Sequence, residues 1–205
     1  DKKEALEQVQ SPTGIKNILA SRSNSNINEK GLELNSDLIK KFNKALENKD
    51  YYGNSLSAFE IIEEAINEKK IGVEIINLMK NKLVMALSTK AQLLINDYIG
   101  NVENLPNGNV FKQNAKHLEI CLELLEKDNF SYNRILTSKL FLEAYAIIKN
   151  KQFNQYPLAK NKLNEALKLE KKAAYIYNAL GIVLNYEEEY GKSEENYRKA
   201  NVLIP

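Results

Sequence analysis

An all-α fold built from antiparallel helical hairpins is what this sequence predicts, and three observations predict it. From Ser36 onward apolar residues recur at spacings of three and four, the period of a helix and not of a strand. Only 8 Gly and 4 Pro occur among 205 residues, too few for the turns of a β-sandwich or barrel. Hydrophobic residues at 43% and charged residues at 27% fit a folded chain, long enough to bury a core without disulfides or metal, and fit neither a disordered nor a membrane-embedded one.

The first 35 residues are the least regular. Ser11-Pro12 reads as an N-cap with Pro at the first helical position, opening a short helix that carries Ile15, Ile18 and Leu19. The polar run Ser21 to Asn28 has too little apolar surface to offset ordering and is expected to be a linker. A boundary is placed near Asn35, dividing an irregular segment, 1–35, from a helical-repeat domain, 36–205. Leu38, Ile39, Phe42, Ala45 and Leu46 then form one apolar stripe. Asp50 to Asn54 breaks it, and Leu56, Ala58, Phe59, Ile62, Ala65 and Ile66 form the second stripe of a hairpin.

A long helix is predicted from Ile71 to Tyr98, with Ser88-Thr89 as the place for a kink. Pro106-Asn107-Gly108 then marks a loop. Phe111, Ala115, Leu118, Leu122 and Leu125 define the next helix, ending near Lys127, and a further one covers Phe130 to Lys149. Three more follow, about 157–169, 173–186 and 190–203. Glu194 and Glu195 lie in a first turn and Lys168, Lys171 and Lys172 at an end, both on the favourable side of the helix dipole.

Charge excludes little. With 29 basic and 27 acidic residues the formal net charge is +2, and the only arginines are Arg22, Arg134 and Arg198, so the concentrated basic face of a nucleic-acid binder is missing. No partner nucleic acid is expected. The most apolar stretch, Ile71 to Ile99, is interrupted by Glu74, Lys80, Lys82, Lys90 and Asp97, so no membrane insertion is expected either. The chain begins at Asp1 without a leader pattern and ends at Pro205, which suggests a fragment of a longer protein. The sequence leaves the compartment open between a cytoplasmic location, which is favoured, and one reached through a cleaved signal ahead of Asp1.

The most specific signal is an internal repeat. Ala159, Leu163 and Ala166 recur 34 residues later as Ser193, Tyr197 and Ala200, two small residues flanking a bulky one, as a helix needs where a neighbour approaches closely. Ahead of the later copy stand Tyr177, Leu180, Gly181 and Leu184, then Tyr190 at the turn. This set, closed by Pro205, resembles the tetratricopeptide repeat, over 174–205 most clearly and over 140–171 in its second helix. Ser193 stands where the family has Ala, and Leu184 where it has Tyr. Ala58, Ile62 and Ala65 repeat the second-helix pattern, whereas Gln92, Asn96 and Ile99 do not.

The resemblance implies a right-handed superhelix of hairpins whose first helices line a concave groove. Tyr175, Asn178, Ile182, Asn185 and Tyr186 would then face a guest, Tyr and Asn offering apolar area with a hydrogen-bonding tip. The expected partner is another protein or another domain of the same chain, which could equally cover the groove. Ile182 stands where the family's carboxylate-clamping members have Asn, so chaperone-tail capture is not expected. Ala174 to Gly181 is also similar to repeats that accompany caspase-like peptidase domains in bacteria, so an accessory arm of a multidomain enzyme is the alternative to a free-standing scaffold.

Catalytic chemistry is not expected, and neither is a cofactor or metal. His117 and Cys121, the only residues of their types, share a helix face and could form a thiolate–imidazole pair or half a metal site. No further Cys or His completes such a site, and Leu118 and Leu122 place the segment in a core, where Cys is a small hydrophobe. The run Glu187 to Glu189 reads as a solvated helix end rather than a cation site. Glu63 and Glu64 point in different directions, and no Gly-rich phosphate loop occurs.

Overall fold

The computed structural model describes residues 29–69 and 71–203, so the Ser11–Pro12 helix and the Ser21–Asn28 linker lie outside it, as does Pro205. Among the described residues every regular element is helical: eight α-helices and one 3-10 turn, with no strand. The described residues divide into two compact units, one up to Ile76 and one from Asn77.

In the first unit α1 (Glu29–Asn48) and α2 (Ala58–Glu68) pack as a hairpin. The start of α1 runs through the boundary expected at Asn35, because Glu29, Lys30, Leu32, Glu33 and Leu34 are good helix formers that carry Gly31 along. Leu38, Phe42 and Ala45 are buried from α1, and Ala58, Ile61, Ile62 and Ala65 from α2, the three-four spacing of both stripes. Lys49 (φ 62°) and Gly53 (φ 98°) turn the chain between them. There the Asp50 carbonyl accepts from Ala58 N–H at 2.8 Å, and Gly53 N–H donates to Glu60 Oε1 at 3.0 Å.

Helix α3 (Val73–Ile99) is unbroken through Ser88-Thr89; the Ser88 hydroxyl bonds back to the Met85 carbonyl at 3.4 Å and the helix continues. Within the second unit it buries Met79, Leu83, Leu87, Ala91, Leu94, Ile95 and Tyr98 along one stripe. After the Pro106 loop the Asn107 side chain caps α4 (Gly108–Leu124) by accepting from Asn109 N–H at 3.0 Å. A Cβ on Gly108 would lie within 2.5 Å of the Ala146 carbonyl, so only glycine lets α4 begin against the end of α5 (Tyr132–Lys149).

Helix α5 is buried nearly all round, from Ile135 to Ile148, and lies against α4, α6 and α7. Phe111, Tyr98, Phe141, Tyr145 and Tyr175 meet around it with ring centroids 4.5–5.7 Å apart. A 3-10 turn, Phe153–Gln155, leads into α6 (Tyr156–Leu169), which carries Pro157 in its first turn. Glu143 joins the two helices, accepting from Lys162 at 2.6 Å and Lys139 at 2.9 Å. Those ammonium groups hold its carboxyl below the usual range against the opposing effect of burial, which is the larger single influence.

Helix α6 also packs on α7 (Ala174–Tyr186), and α7 on α8 (Tyr190–Leu203). Ala159, Leu163 and Ala166 are fully buried. At the α7–α8 crossing the Ser193 hydroxyl donates to the Gly181 carbonyl at 2.8 Å in a buried position, and a Cβ on Gly181 would come 2.6 Å from the Tyr197 ring. Leu180 and Leu184 on α7 and Ala200 on α8 are buried as well. Tyr190 and Tyr177, expected to pack, behave differently. Tyr190 stands 62% exposed, and the half-buried Tyr177 donates its hydroxyl to the Lys171 carbonyl at 3.2 Å beneath Lys199. The acidic run is not simply solvated: Glu187 and Glu189 both pair with Lys160 of α6, and Glu189 with Lys192 as well.

Candidate functional site

Tyr175, Asn178, Ile182, Asn185 and Tyr186 share one face of α7, at offsets of three, seven, ten and eleven residues, a stripe about 16 Å long at 1.5 Å per residue. Its two ends are held by different neighbours. At the N-terminal end the Tyr175 ring meets Phe141 edge-on at 4.8 Å, and Asn178 Nδ2 donates to the Tyr98 hydroxyl at 3.0 Å. At the C-terminal end Tyr186 lies flat on Phe153, centroids 4.3 Å apart, with Tyr156 edge-on at 4.9 Å. Between them Ile182 is half-buried and Asn185 exposed. Tyr175 and Asn178 are therefore tied to neighbouring helices and half-buried, as Ile182 is, while Asn185 and Tyr186 are exposed.

A cleft of about 280 Å³ opens at the N-terminal end of the stripe. Helix α7 contributes Ala174, Tyr175 and Asn178; the end of α3 and the turn after it contribute Tyr98, Ile99 and Asn101; Ala200 and Asn201 come from α8. Asn101 takes a left-handed conformation, φ 49°, which Asn tolerates better than most residues. Ile99 is 47% exposed at the rim.

Among the described residues no charged side chain lines this cleft. Burial pushes both phenols, Tyr98 and Tyr175, far above the ordinary tyrosine range, so they stay neutral; at Tyr98 the bond from Asn178 opposes that shift without cancelling it. Three amides and two phenolic hydroxyls offer paired donors and acceptors without charge, the complement of peptide backbone groups. The small side chains of Ala174 and Ala200 leave room for it.

His117 and Cys121 sit elsewhere, on the buried side of α4. Burial first, and the nearby Lys90 ammonium second, lower the His117 pKa to about 4, and burial pushes the Cys121 thiol up to about 12. The thiol hydrogen points to the Val84 carbonyl, 3.8 Å away. At neutral pH the pair is a neutral imidazole and a protonated thiol, the opposite of what a nucleophilic dyad requires. Among the described residues no group of three or more His, Cys, Asp or Glu side chains could hold a metal ion, and no helix is long and apolar enough to cross a membrane.

Sequence reasoning missed Ile99, Asn101, Asn201 and the role of Tyr98. Tyr98 is visible as the last member of the α3 stripe, but its bond to Asn178 joins positions 80 residues apart, which no local pattern records. No family model matches the chain, and no curated protein or solved structure matches it.

Proposed function

We propose that this chain is a non-catalytic protein–protein interaction scaffold of tetratricopeptide type, its hairpins winding as a right-handed superhelix and its guest an extended segment of another protein or of another domain of the same polypeptide. The observation that carries the reading is the uncharged amide-and-phenol cleft at the start of the α7 stripe, continuous with half-buried Ile182, exposed Asn185 and the half-exposed Tyr186 ring. Support for the repeat comes from the succession of contacts, α5 on α6, α6 on α7, α7 on α8, with α7 also touching α5, and from the glycine-dependent crossing at Gly181. Such a surface binds by main-chain hydrogen bonds in the cleft and by apolar contact along the stripe. If the guest is a domain of the same polypeptide, the repeats form the arm of a larger enzyme or regulator.

Photo-crosslinking tests this. A benzophenone amino acid at Asn185, on the stripe, is expected to capture discrete partners that the same group at Lys168 does not, and Asn178→Asp, which places a charge in the cleft, should abolish that capture. Equal capture at both positions, or capture untouched by Asn178→Asp in a folded variant, removes the groove from the account.

A further inference from the structure

A second cleft, of about 220 Å³, lies between α3, α4 and α5 and shares no residue with the first. Its polar wall is made of two pairs spaced one helical turn apart: Ser88 and Gln92 on α3, with Thr89 between them, and Arg134 and Ser138 on α5. Its apolar wall is Ala91, Leu93, Leu118 and Ile135. Leu93 is 58% exposed at the rim, while Leu118 and Ile135 are buried behind it.

The hydrogen-bonding balance of this cleft is one-sided. Ser88 spends its proton on the Met85 carbonyl, and Gln92 Nε2 donates to Asn96 Oδ1 at 2.9 Å. Arg134 is the only charged residue among those lining the cleft, and it makes no ion pair or hydrogen bond with the described residues. Ser138 is 8% exposed, lines the cleft, and its hydroxyl likewise has no partner among them. Arg134 with its five guanidinium donors, Ser138 with a hydroxyl that keeps access to the cleft, and Thr89 thus line one space, and none of the described residues that line it carries a carboxylate. Arg134 also stands in the first turn of α5, at the positive end of that helix's dipole.

We propose that this cleft binds a small organic monocarboxylate. One full positive charge matches one negative charge; a phosphate dianion would leave charge uncompensated beside an apolar wall. The carboxylate accepts from Arg134, Ser138 and Thr89, and its carbon chain lies on Leu93, Leu118 and Ile135. At roughly 30 Å³ per water-sized group the space holds about seven non-hydrogen atoms, the size of pentanoate.

The test is an NMR titration of the whole chain with pentanoate, pentanamide and inorganic phosphate, each against wild type, Arg134→Met and Ser138→Ala. Expected are saturable shifts for pentanoate at Ser88–Leu93 and Arg134–Ser138, and weakening by about tenfold or more both for pentanamide on wild type and for pentanoate on Arg134→Met, from losing a charge-assisted hydrogen bond. Ser138→Ala is expected to weaken pentanoate several-fold. Arg134 is exposed, so Arg134→Met should keep the wild-type spectrum outside the cleft and its melting temperature. The proposal is overturned by absence of saturable pentanoate shifts, by pentanamide or phosphate binding as tightly as pentanoate, or by Arg134→Met binding like wild type.

Discussion

Gly181→Ala sets two effects of similar size against each other at one atom. In an exposed helix interior, replacing Gly by Ala stabilises by about 1 kcal/mol, because Ala restricts the unfolded chain. At Gly181 the added methyl would lie 2.6 Å from Cε1, 2.8 Å from Cδ1 and 2.9 Å from Cζ of Tyr197, three ring atoms that move only together. The ring cannot rotate away without disturbing the crossing that the Ser193 hydroxyl locks to the Gly181 carbonyl. Such overpacking costs typically 1–3 kcal/mol, so the expected net is a loss of about 1 kcal/mol. Gly191→Ala supplies the control, since nothing lies within 4 Å of the new methyl there and only the gain remains. Urea unfolding followed by helical circular dichroism should separate the two variants by about 2 kcal/mol, or several degrees in Tm. Adding Tyr197→Leu to Gly181→Ala should recover most of the loss, a coupling between contacting residues. If Gly181→Ala stabilises as much as Gly191→Ala does, the close crossing is refuted.

His117 gives a pH dependence. Its pKa falls from 6.5 to about 4 on folding, so the unfolded chain binds the proton more tightly; the stability it confers is present above about pH 6.5 and is lost as pH falls toward 4. The loss is on the order of 2–3 kcal/mol, and the wild-type minus His117→Gln difference in unfolding free energy should shrink by that amount over this range, carboxylate titration being common to both. Cys121, fully buried with its thiol pushed up to about 12, should react with a disulfide reagent at pH 8 only as fast as α4 opens, and at once in denaturant; a fast native reaction would contradict its placement.

Helix positions were legible wherever apolar spacing and breaks agreed. The bounds of α8, Tyr190–Leu203, coincide with the sequence reading, and α7 and α6 differ from it by one residue at their starts. The Glu187–Glu189 break left little freedom there. The start of α1 was not legible, since Gly31 and the Asn-rich run ahead of it suppress the periodic signal that Glu29–Leu34 still satisfy as helix. The site was legible only from its own helix: the offsets of Tyr175, Asn178, Ile182, Asn185 and Tyr186 put them on one face. That Tyr175 and Asn178 are engaged by Phe141 and Tyr98 depends on contacts 34 and 80 residues distant in the chain, which follow from packing and not from pattern. Arg134 was visible merely as one of three arginines; what surrounds it is assembled from three helices.

The Tyr197 ring is a spacer as well as a filler. It takes up the space at the α7–α8 crossing that a Cβ on Gly181 would need, and one turn further along α8 come Ala200 and Asn201, which line the neutral cleft together with Ala174 and Asn178 of α7. The spacing of the two helices that line the opening is thus expected to depend on a position that does not line it. A smaller side chain at 197 would narrow the entrance while leaving every lining residue unchanged, so selection for a thinner or bulkier guest could act on the hinge side of the hairpin without altering the chemistry the guest meets.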